Sequence, residues 1–137
     1  MADNHPEAAK KHVLDSEALL KVNRYDGAGY LAGYAVECTL KTLILIEGHR
    51  MRGHNLNELS IRALALASVP TQKTAKYINS SAITTITYGH GPQDWNESLR
   101  YEPEGAIKPA DCLTWVSEAR RLYDGVIWQM KLDGLLA

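Results

Sequence analysis

DGAGYLAGYAVECTLKTLILIE, residues 26–47, decides the fold. No proline interrupts the stretch, and a helix from Gly27 to Glu47 would be about 31 Å long at 1.5 Å per residue. Asp26 stands where a helix cap belongs. Leu31, Val36, Leu40, Leu43, Ile44 and Leu45 point nearly all round the axis, which marks a rod surrounded by other helices. Gly29, Ala32 and Gly33 leave room for a neighbour to approach closely.

Outward from this rod, Pro6 suits a first helical turn, and Ala9, Val13, Ser16 and Leu20 follow at helical spacing, which predicts a helix over 6–22 that Asn23 and Arg24 break. Gly48 closes the central helix. Asn55 with Glu58 resembles a capping box for a third helix, whose inward stripe is Leu56, Leu59, Ala63 and Leu66 and which Pro70 stops. Thr71 is placed to cap a fourth, with Ala75, Ile78, Ala82 and Ile86 on its apolar face. The segment 82–88 is rich in β-branched residues and fits a strand as well; helix is preferred because a lone strand would lack a partner. From about 88 to 109 periodicity vanishes among Gly89, Gly91, Pro92, Pro103, Gly105 and Pro109, a long loop of the kind that is often functional. The last helix starts near Pro109 and sets Cys112, Val116, Ala119, Tyr123, Val126 and Met130 on one face, with Trp115, Leu122 and Trp128 alongside. The expected fold is all-α: one domain over 1–137, an antiparallel bundle of about five helices with a long loop before the last.

Of the 137 residues, 45% are hydrophobic and 23% charged, enough for a core without disulfides or a structural metal. Cys38 and Cys112 lie far apart in predicted helices, outside any metal or redox spacing, and read as buried thiols. No apolar core follows the early lysines as in a signal peptide, and the strongest apolar run, Leu43 to Ile46, is too short to cross a bilayer. A cytoplasmic protein without membrane contact is expected.

The formal net charge of −1 excludes a uniformly basic nucleic-acid binder. Its distribution is uneven, however. Residues 49–88 carry 5 basic groups against 1 acidic, while both flanks are net negative. Arg50, Arg52, Arg62, Lys73 and Lys76 form this basic segment, able to bind phosphates or simply to be solvated. Within it, His49 and His54 are spaced poorly for zinc, and no metal or cofactor is expected. His54, just before a helix start, is placed either to meet a phosphate at that helix's amino end or merely to pack the turn. On the central helix Tyr30, Tyr34, Glu37 and Lys41 share one stripe, which reads as a polar or dimer interface or a ligand cleft. In the long loop, His90, Trp95, Arg100 and Tyr101 are residue types that stack bases, grip phosphates or anchor protein partners, or else pack the loop itself. Nucleophile elbows, phosphate loops, zinc-protease motifs and dinucleotide fingerprints are absent.

RYDGAGYLAGYAVECTLK at 24–41, followed by GHNLNEL at 53–59 and LRYEP at 99–103, resembles the HEPN domain proteins of prokaryotes, the nucleotidyltransferase-associated type included. The resemblance implies a helical bundle that dimerises about its long helices and a place among nucleotide- or RNA-handling modules. It also implies a minimal nucleotidyltransferase as partner in a toxin–antitoxin pair. Many such proteins are metal-independent ribonucleases that use an Arg followed, after four to six residues, by a His. This chain departs there: Arg50 reaches His54 with three residues between, and no His follows Arg100. The reading is a homodimeric module that binds nucleotide, RNA or a nucleotidyltransferase partner through Arg50, Arg52, His54, Trp95, Arg100 and Tyr101. The alternative is a divergent ribonuclease using Arg100 with His54 or His90.

Overall fold

A helix crowded by neighbours must offer them flat, small-residue faces, and helix α2 (Tyr25–Ile46) does so with buried Ala28, Gly29, Ala32, Gly33 and Ala35. The computed structural model describes residues 4–78 and 95–137. In it α1 (His5–Lys21), α3 (Leu56–Ala67) and α4 (Pro109–Tyr123) all pack against α2, which makes α2 the axis of an all-α bundle. No strand is found among the described residues. By length and composition α2 could cross a bilayer, although its strongest apolar run is short. Yet 67% of its most apolar window is buried inside the bundle, as befits a core helix.

Helix ends follow from local chemistry. The Asn4 side chain accepts from Glu7 N at 3.2 Å to start α1, with Pro6 in the first turn. Asn23, at φ 61°, takes the left-handed conformation that Asn tolerates, and Arg24 N reaches back to Leu19 O. This tight turn folds α2 back along α1. Gly48, at φ 82°, ends α2. Asn55 caps α3 by accepting from Glu58 N at 3.0 Å.

Asp26 is not the cap of α2. The helix begins two residues earlier than expected, with Arg24 at the cap position, and the Asp26 carboxylate instead accepts from Gly105 N at 2.8 Å and Ile107 N at 3.0 Å. Two backbone donors of a distant loop compete successfully for that carboxylate, and its place in the first turn still suits the helix dipole.

The predicted fourth helix also departs. Its described part, 71–78, forms successive turns with Ala75 N on Gln72 O and Tyr77 N on Thr74 O. Tertiary bonds hold these turns in place: Thr74 N and Oγ1 both donate to Glu47, and the Tyr77 hydroxyl donates to Asp133 at 2.6 Å. The choice between helix and strand for 82–88 lies outside the described residues.

Past Pro109 the chain is one rod. Through a π-helical turn, Asp124–Trp128, α4 runs into a single-turn α5, Gln129–Leu132. The fifth helix is therefore an extension of the fourth. The face predicted for the last helix, Cys112 through Met130, is buried throughout, whereas Trp128 is half exposed. Burial pushes the Cys112 thiol up to about 11, too high for a reactive thiolate at neutral pH. Arg120 binds both Glu17 oxygens, at 2.5 and 2.9 Å, and ties α4 to α1.

In the described part of the long loop, Glu97–Tyr101 forms a short 3₁₀ helix, and the flanking Trp95 and Ile107 insert against α2. Gly33 and Gly29 receive them: a methyl group built on Gly33 would overlap the Trp95 ring, and one on Gly29 would lie 3.0 Å from Ile107. Gly33→Ala is expected to lose about 1–3 kcal/mol of stability in urea titration and to shift tryptophan emission to the red. Gly125→Ala, which meets nothing within 4 Å among the described residues, is expected to be neutral or stabilising. Equal stability of the two variants would contradict the seating of Trp95.

Candidate functional site

The polar stripe of α2 is covered by other elements of the same chain. At its first end the Tyr30 hydroxyl donates to Tyr34 Oη at 2.9 Å, and the two rings meet edge to face at 4.9 Å. Trp95 lies across both. Its Nε1 donates to the Tyr30 carbonyl at 3.1 Å, and its ring stands edge-on to Tyr34 at 5.3 Å. Burial and the Tyr30 hydrogen bond push the Tyr34 phenol well above its ordinary pKa, so Tyr34 stays neutral. Arg100 lies at this end, where the neighbouring Tyr30 and Tyr101 make its guanidinium hold its proton still more firmly than usual. The guanidinium also lies 4.8 Å from the Tyr101 ring centroid.

The middle of the stripe is charged. Glu37 is 5% exposed. A carboxylate there needs partners, and it has two. Lys41 Nζ donates from one helical turn on, at 3.3 Å, and His54 Nδ1 donates from the turn before α3, at 2.7 Å. The His54 side chain is 45% exposed. With Nδ1 tied to Glu37, Nε2 is the nitrogen left for a ligand or a proton. His12, from α1, flanks the same Tyr34 ring as His54, each imidazole with its centroid 5.9 Å away. Its Nδ1 is inaccessible and has no hydrogen-bond partner among the described residues. Desolvation, aided by Lys11, lowers the His12 pKa from 6.5.

The far end of the stripe opens into a pocket of about 270 Å³. Lys41, Arg50, Arg52 and His5 line it together with the apolar Leu45 and Met51, and among the described residues no carboxylate belongs to the lining. Gly53, at φ 98°, makes the turn that separates the arginines from His54. The rest of the basic segment is partly engaged elsewhere. Arg62 lies 3.2 Å from His49, and Lys76 pairs with Asp133 at 3.1 Å. The charge of the middle third is thus divided, with Arg50 and Arg52 at the pocket.

The stripe, the histidine turn and the loop, three separate features in the sequence, are joined into one polar network along α2, with the pocket at its far end. Tyr30, Tyr34, Glu37, Lys41, His54 and Arg100 come together, and Arg50 and Arg52 join through Lys41. Trp95 corrects an expectation: it is 3% exposed and supports the network from beneath, because its indole N–H has found the Tyr30 carbonyl. Tyr101 is 76% exposed and open to stacking. Arg100 and His54 share no hydrogen bond; the tyrosine pair stands between them. His90 lies outside the described residues. His5 and His12 were not foreseen, since a single imidazole on a helix has no spacing to announce it. Among the described residues no cluster of three metal-ligating side chains occurs.

A model of the HEPN domain matches residues 3–126. The chain belongs to the HEPN domain family. That family is linked to ribonuclease and nucleotide-related functions. Comparison with curated proteins and with solved structures returns no match. Every residue of the network falls inside the matched span, so the HEPN domain itself carries it.

Removing Glu37 leaves the 12%-exposed Lys41 side chain without its counter-charge. Glu37→Ala should therefore cost about 2–3 kcal/mol in urea titration, less than a fully buried pair because His54 is half exposed; a loss under about 0.5 kcal/mol would refute the pairing. His12, held neutral in the fold, binds fewer protons there than in the unfolded chain. Its contribution is complete above pH 6.5 and is lost as pH falls below 6.5 toward the lowered value. The melting temperature should drop across that interval, and the drop should be smaller in His12→Gln.

Proposed function

We propose that this HEPN domain binds the phosphates of RNA or nucleotides along the polar network of α2. Arg50, Arg52 and Lys41 grip at one end, and Arg100 and Tyr101 at the other. The observation that carries this reading is the pocket with three cations and, among the described residues, no carboxylate in its lining. Arginine forks suit phosphate oxygens, and the 11 residues from Tyr30 to Lys41 set the two ends about 16 Å apart, several phosphates along a single strand. The family resemblance supports a homodimer and a nucleotidyltransferase protein as partner, together a toxin–antitoxin pair in the cytoplasm.

Binding of a labelled single-stranded RNA, followed by anisotropy, is expected to weaken steeply between about 50 and about 200 mM salt. Arg52→Ala and Arg100→Ala should each lower affinity several-fold and reduce the log–log salt slope by about 0.7. Salt-insensitive binding, or none, would reject the phosphate grip.

The 2.7 Å contact of His54 with Glu37 favours a second reading, cleavage of RNA without a metal. Glu37 orients the imidazole so that Nε2 can take the proton of a ribose 2′-hydroxyl, whose oxygen attacks phosphorus to close a 2′,3′-cyclic phosphate. The imidazolium then returns that proton to the departing 5′-oxygen while arginines stabilise the phosphorane. Cleavage in the presence of a chelator, abolished in His54→Ala with binding retained, would support it.

A further inference from the structure

We propose that the pocket between the start of α1, Lys41 of α2 and the arginine turn is a phosphomonoester site, built for a terminal phosphate and not for the phosphodiesters within a strand. It rests on the reading that the network binds phosphate, and it specifies which kind. Charge is the first reason. Glu37 neutralises Lys41 at 3.3 Å, so the net surplus at the pocket comes from Arg50 and Arg52, neither of which has an ion-pair partner among the described residues. Two uncompensated guanidiniums match a monoester, which carries about −1.5 to −2 at neutral pH, better than a diester with a single charge.

Size and shape are the second reason. About 270 Å³ is just below the range of about 300–1,000 Å³ usual for small-molecule sites. A volume of this order suits a terminal phosphate with its ribose. Leu45 and Met51 give an apolar lining for a ribose or base, and the arginines reach the phosphate. The third reason is the placement of α1. This helix is 17 residues long and its first residue, His5, borders the pocket, so the positive end of its dipole lies beside the site. Glu7, the acid of its first turn, is engaged by Lys131 at 3.1 Å.

The same chemistry is offered by a phosphorylated RNA end and by a free mononucleotide. One internally labelled RNA is compared with a 5′-phosphate, with a 3′-phosphate and with hydroxyls at both ends, and adenosine monophosphate and adenosine serve as competitors. At least one phosphorylated end is expected to bind more than about 5-fold tighter than the hydroxyl strand, and the monophosphate to compete where adenosine does not. Both effects should vanish in Arg50→Gln/Arg52→Gln and persist in Arg100→Gln. Because both pocket arginines are exposed, the double variant should keep its melting temperature. An advantage for the phosphorylated end identifies RNA termini as the source, and competition by the monophosphate alone identifies the free nucleotide. Equal binding of all three strands, with no preference for the monophosphate over adenosine, overturns the proposal while leaving the phosphate grip intact. Failure of every strand and of the monophosphate to bind overturns both.

Discussion

A carboxylate carried into a helical bundle costs several kcal/mol unless opposite charge and hydrogen-bond donors reach it there. Glu37 imposes that constraint on this HEPN domain, and much of the network is arranged to satisfy it. Lys41 is placed by helical periodicity alone. His54 is brought in by the chain reversal between α2 and α3, where the left-handed Gly53 lets the backbone turn after the two arginines. The arginines and the imidazole are neighbours in space because one turn serves both.

Much of the bundle was legible because its helices are amphipathic at the period the core requires. The inward residues of α1, α3 and α4 could be read from spacing, and the ends at Asn23, Gly48 and Asn55 from backbone chemistry. Where the reading failed, a long-range bond had overruled a local preference. Asp26 gives up capping to hold Gly105 and Ile107, and Thr74 gives up the helical pattern to meet Glu47. Neither partner stands within twenty residues of the group it captures, so no window along the chain reveals it. The π turn in the last helix is likewise invisible to a periodicity of 3.6.

The network was legible in pieces. Helical spacing put Tyr30, Tyr34, Glu37 and Lys41 on one face, and the basic segment pointed to Arg50 and Arg52. Nothing in the spacing says that His54 closes on Glu37 or that His12 arrives from α1 behind Tyr34. Trp95 shows the limit of reasoning from residue type: the side chain suits stacking on a base, and the structure uses it to fill the hollow above Gly33. Only the fold decides which aromatic meets solvent.

The segment bearing Arg100 is secured at two points on the same helix, by Trp95 over Gly33 and by the Asp26 carboxylate holding Gly105 and Ile107. The span between these moorings is short and already curled into a 3₁₀ turn. On the proposed reading, an incoming strand meets a distal guanidinium docked in advance, with little ordering entropy left to oppose association. On the same reading, the fixed stretch of α2 between Tyr30 and Lys41 selects ligands of one particular reach, as the jaws of a caliper would.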